Sequence, residues 1–135
     1  MWGGQPRDLV VYKVVPLSET ERIQRQGYIR RTGGGPDQRK VGLRETIEYA
    51  IQREIRVGGS FAKDTHVVVE IRFSPLGVAY YTTLCQGPNY ASMLEKKTYH
   101  QATDWLVWHF HEDLPLSAYD EEGNMLVTSY FGCIV

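Results

Sequence analysis

No stretch of the chain approaches the ~20 consecutive apolar residues needed to cross a bilayer. The opening MWGGQPRD also lacks the apolar core of a secretory leader. These absences predict a soluble cytoplasmic protein with no membrane role, an effector delivered by a dedicated secretion machine being the alternative. Cysteine is scarce. The two present, Cys85 and Cys133, are too few for a disulfide scaffold and read as free thiols. A field of one sign is missing as well, because 15 Lys and Arg nearly cancel 16 Asp and Glu, which disfavours long polyanions as partners. Finally, there is no P-loop, H-E-x-x-H or C-x-x-C, so the most specific nucleotide and zinc signatures are excluded.

What is present is enough for one buried core. At 135 residues and 42% apolar composition, a single domain spanning 1–135 is expected. Its clearest stretch is VGLRETIEYAIQREIRVGG, residues 41–59, where Leu43, Ile47, Ala50, Ile51 and Ile55 recur at helical spacing. Glu45 and Glu48 near the start and Arg53 and Arg56 near the end complement the helix dipole, and Gly58-Gly59 supplies the stop. HVVVEIRF, residues 66–73, follows as a strand. Val67, Val69, Ile71 and Phe73 face one way, His66, Glu70 and Arg72 the other, and Val68 on the polar side marks the strand as central and covered on both faces.

Leu9 to Val15 (LVVYKVV) reads as an interior strand ended by Pro16. Ser18-Glu19-Thr20-Glu21 has the capping-box pattern, opening a short helix that Gly27 closes before extended Tyr28-Ile29. Residues 30–40, RRTGGGPDQRK, read as a mobile basic loop. Ser74-Pro75-Leu76-Gly77 is expected to turn into a strand over Val78–Leu84, and Asp104–Phe110 into an aromatic strand. Tyr90–Gln101 is read as polar loop with one helical turn. A connection or short strand over Leu114–Tyr119, a hairpin turn at Asp120–Asn124 and a terminal strand over Met125–Val135 complete an α+β order, with two early helices and a mixed or antiparallel split sheet.

Charge is distributed unevenly. Between Arg22 and Arg44 the cations Arg22, Arg25, Arg30, Arg31, Arg39, Lys40 and Arg44 face one acid, Asp37, whereas no Lys or Arg follows Lys97 and six acids do. A solvated basic loop paired with the acidic half accounts for this. So does a site for a phosphorylated small ligand, or one for a protein or RNA partner engaged through residues 30–44, with Arg30, Arg31, Arg39 and Lys40 as its contacts. His109 and His111 would share one side of a strand and begin a metal site. Its other ligands would come from His66, His100, Glu70 or Asp113. Solvent-facing histidines are the plainer reading, and Cys85 with a histidine is a weaker nucleophilic alternative.

The order of elements over residues 9–119, with RETIEYAI in the helix, VVVEI in the strand, Gly77-Val-Ala-Tyr80 and Asp104-Trp-Leu-Val, resembles the ADP-ribosyltransferase superfamily, including its RNA 2'-phosphotransferase branch. The resemblance implies an NAD-binding cleft lined by Lys13, Tyr12, Tyr80 and Tyr81, and transfer of ADP-ribose to a protein or nucleic-acid acceptor. Asp104 would be the carboxylate that steadies the oxocarbenium-like transition state. Two positions depart from the family. Lys13 replaces the first-strand Arg or His and meets phosphate as a point charge. Asp104 is one methylene shorter than the family's glutamate, where an ångström of misplacement costs ~100-fold.

Overall fold

A computed structural model describes residues 7–31, 40–90 and 96–132. The first half follows the sequence, except that the helix expected over residues 41–59 begins only at Ile47, capped by the Thr46 hydroxyl, so Leu43 and Glu45 precede it and Leu43 joins the core from extended chain. Strand β1 (Leu9–Pro16) leads into helix α1 (Leu17–Gln26), short strand β2 (Tyr28–Ile29), helix α2 (Ile47–Gly58) and strand β3 (His66–Phe73). Gly27 at φ 81° ends α1 and Gly59 at φ 90° ends α2, both left-handed caps that glycine takes without a Cβ penalty. The capping box at Ser18 does not form: α1 starts at Leu17 after Pro16, and its end carries no side-chain cap. Strand geometry runs through Pro16, which leaves Ser18 already inside the helix.

The second half departs from the strand expectation. Residues Pro75–Gln86 form helix α3 and Tyr99–His109 form helix α4. In α3, Ser74 Oγ accepts the Gly77 amide at 3.0 Å and Pro75 occupies the first turn, where no amide is missed. Buried Gly77, Val78, Tyr81 and Thr82 then lie on one helical face. Thr98 and Gln101 form a reciprocal capping box that starts α4, and Ala102, Thr103, Leu106 and Val107 face inward. Strands β4 (Leu114–Pro115), β5 (Ala118–Tyr119) and β6 (Met125–Phe131) follow. The β5–β6 turn is built on Asp120, whose Oδ1 accepts amides from Glu122 and Asn124 at 2.9 and 2.8 Å.

The main sheet is antiparallel, in the order β1-β3-β6-β5, and β2 pairs with β4 in a separate two-stranded sheet. The molecule is therefore α+β, with four helices among the described residues. Sheet β3 is central and covered on both faces. Val69, Ile71 and Phe73 join the larger core with Phe110, Leu106 and Tyr81, while Val68 packs with Val14 and Ala50 beneath α2. The outer edge of β1 is closed by Arg44, which exchanges backbone hydrogen bonds with Tyr12 at 2.7 and 2.9 Å. Among the described residues, no helix is long and apolar enough to cross a membrane.

Candidate functional site

Lys13 occupies the same face of β1 as Val11 and Val15, and it is only 8% exposed. Its Nζ donates to the Val41 carbonyl at 2.5 Å. Burial, then the neighbouring Arg53, lowers its pKa to about 8, Glu54 opposing and Arg44 adding to the fall. Lys13 lines a cavity of about 650 Å3 between β1, α1 and α2. Arg22, Arg30, Arg31 and Arg53 line it too, against Glu19 and Glu54.

The two acids are already engaged. Glu19 pairs with Arg22 within α1 at 2.5 Å, and Glu54, buried in α2, stands 3.7 Å from His66 Nε2. A surplus of cationic groups is left over. Arg31 is anchored by its amide, which donates to Asp113 Oδ1 at 2.9 Å, and by its guanidinium, which donates to the His111 carbonyl at 2.6 Å. Arg53 lies across Gly42, whose φ of 84° and missing side chain make room: a Cβ there would strike the guanidinium. Such a cavity suits a small ligand carrying phosphate or carboxylate groups, with arginine forks supplying paired donors.

The cleft expected from Lys13, Tyr80, Tyr81 and Asp104 is not assembled. Successive strand residues point to opposite sides, and Tyr12 opens with Asp104 onto a separate hollow of about 540 Å3, which Glu45, Thr46, Tyr49, Tyr99 and His100 help to line. Asp104 lies on helix α4 instead of a strand, 3.3 Å from exposed His100. Tyr81 is core, edge-on to Phe73 and tilted against Phe110. Tyr80 is exposed beside Leu84 on α3. Neither tyrosine reaches the Lys13 cavity.

The basic stretch divides. Arg30 and Arg31 face the cavity, whereas Lys40 donates to the Trp108 carbonyl at 2.5 Å and lies, like Arg44, 5.9 Å from the Trp108 ring centre. Arg39 and Cys133 are outside the described residues.

The histidines correct another expectation. His109 ends α4 and packs on Trp105, burial lowering its pKa first and Lys40 next, so His109 and His111 are not alternate residues of one strand. His66 and His100 are committed to Glu54 and Asp104. Instead, Cys85 at the end of α3 converges with His111 and Glu112, with one donor atom of each within 4.8 Å of the others. Burial raises the Cys85 pKa, while amides of His111 and Glu112 directed at its sulfur pull the other way.

Two residues of these arrangements were missed in the sequence. Glu54 left a signal: it falls at positions 47+7 and 50+4 of the α2 stripe, an acid where an apolar residue is due. Exposed Ile55 was assigned that place instead. Glu112 stands in the ligand-rich run from Trp108 to Asp113, but its convergence with Cys85 leaves no sequence signal, since it depends on both helices α3 and α4. Comparison with protein-family models, curated proteins and solved structures returns no match.

Proposed function

We propose that this domain binds a small phosphorylated ligand of the nucleotide class, NAD being the first to test, in the cavity floored by Lys13. The observation that carries the reading is a buried lysine beside Arg30, Arg31 and Arg53 in a hollow of nucleotide size, where the cations outnumber the two acids Glu19 and Glu54. The lysine supplies a point charge and the arginines supply forked donors to phosphate oxygens. Burying the Lys13 ammonium among like charges is costly, and a bound phosphate offsets that cost.

The test is thermal or denaturant stability with NAD, ADP-ribose, AMP and inorganic phosphate. A ligand at ~100 times its dissociation constant adds about 2.7 kcal/mol, and Lys13→Met removes the gain. The reading fails if none of the four stabilises the protein, or if the Lys13 variant responds as the parent does.

ADP-ribose transfer is the second reading, and Glu54 is the observation that favours it. It is the buried carboxylate that shares the cavity with Lys13, whereas Asp104 opens on the other hollow. Developing positive charge on a ribose needs such a group within hydrogen-bond reach. Nicotinamide release from NAD that is lost in Glu54→Gln and kept in Asp104→Asn supports it; no release by the parent protein ends it.

A further inference from the structure

We propose that Cys85, His111 and Glu112 form a site for a divalent transition-metal ion, zinc being the ion that the donor set fits best. The argument begins with convergence. Cys85 comes from the end of α3 and the other two from the segment after α4, yet a thiol sulfur, an imidazole nitrogen and a carboxylate oxygen meet within 4.8 Å. Mixed sulfur, nitrogen and oxygen donors suit zinc, which takes four ligands in a tetrahedron; three protein ligands leave one position for water. All three residues are partly buried, so a metal gains protection while solvent still reaches the fourth position.

The surroundings are those of ligands already aimed. His111 Nδ1 lies 2.9 Å from the His109 carbonyl, and a carbonyl can only accept, so Nδ1 carries the proton and Nε2 keeps its lone pair for a metal. Arg31 holds the segment after α4 through the His111 carbonyl and Asp113. Gln86, next to Cys85, donates to the His109 carbonyl at 3.4 Å, which joins the two segments beside the site. On coordination the thiol loses its proton to solvent, so binding is accompanied by proton release.

A catalytic Cys-His pair would use two of the same residues, but the orienting task a carboxylate has there is already filled by the His109 carbonyl at His111 Nδ1. The test uses full-length protein without a histidine tag, stripped with EDTA and titrated with Zn2+ alone, then with Co2+. One equivalent of Zn2+ is expected, with proton release, and Co2+ should give a sulfur-to-cobalt charge-transfer band. Loss of a partner that merely orients a metal ligand weakens affinity ~10–100-fold, so Cys85→Ser and His111→Ala should weaken Zn2+ by more than ~10-fold. Cys85→Ser should also abolish the band. His109→Ala keeps the backbone carbonyl and should bind as the parent does. Absence of stoichiometric binding overturns the proposal, as does undiminished binding in Cys85→Ser, which is nearly isosteric and retains the fold. Loss in His109→Ala alone overturns it in favour of the neighbouring histidine.

Discussion

Two hollows flank β1, and consecutive residues of that strand floor them. The Lys13 side is enclosed by α1 and α2 and carries four arginines; the Tyr12 side is bounded by α2 and α4, with Glu45 and Asp104 but no Lys or Arg among the described residues that line it. Neighbouring positions of one extended strand thus border a hollow rich in arginine and a hollow lined by two acids. The difference teaches that a list of functional residue types is weaker evidence than their register. Lys13 and Asp104 were each plausible alone, and the pleat assigns them to different sides.

Lys13→Met should break the contrast most severely. In the unfolded chain the ammonium keeps its proton to pH 10.5, in the folded protein to about 8. Between those values the unfolded state binds more protons, so stability rises with pH through that window and the folded state bears a penalty below it, on the order of 3 kcal/mol. The variant should lose this rise, read as a flat denaturation free energy from pH 8 to 10.5. A bound anion favours the charged lysine, so phosphate affinity in the parent should fall as pH climbs past 8. An unchanged pH profile in the variant would place the titration on some other group.

The next effect is smaller and is confined to one side. Gly42→Ala forces an alanine to φ 84° and drives its methyl into Arg53. The backbone strain alone costs about 1–2 kcal/mol, and a displaced Arg53 should weaken phosphate binding. Arg53→Gln, which removes the charge while leaving Gly42 in place, separates the two contributions: weaker binding with little loss of stability is expected. Equal phosphate affinity in parent and Arg53 variant would take Arg53 out of the site.

How far the sequence could be read follows from which signal dominated locally. In β1 and β3, and at the glycine stop of α2, the local signals agree and the elements appear as expected, whereas the start of α2 shifts from the Val41 stretch to Ile47 because Thr46 supplies the cap. In α3 and α4, β-branched and aromatic residues favour a strand by propensity, while Ser74-Pro75 and Thr98-x-x-Gln101 begin helices by capping. The caps prevailed because one helical face then buries Val78 and Tyr81, or Leu106 and Val107, against the sheet. Gly77 reinforces the outcome, since a Cβ there would collide with the Leu126 carbonyl, so only glycine lets α3 lie this close to β6. Lys13 was legible as a lone cation in an apolar strand. Arg22, Arg30 and Arg31 were legible only as a run of charge and Arg53 only as a complement to the α2 dipole, because nothing periodic marks that the three segments carrying them meet beside Lys13.

The smallest effect expected is at Asp104, and it tests the comparison from the quiet side. Its partner His100 is an exposed helical neighbour at i,i+4, 3.3 Å away, a pairing worth at most ~0.5 kcal/mol under solvent screening. Asp104→Asn should therefore change stability by no more than about 0.5 kcal/mol and leave phosphate-induced stabilisation untouched, as read by paired melts with and without ligand. The same substitution removes one negative charge from the Tyr12 hollow without adding a donor fork, so it should not convert that hollow into a second anion site. If Asp104→Asn abolished ligand stabilisation while the fold persisted, the two sides of β1 would have to act as one site, and the separation drawn from the strand's pleat would be wrong.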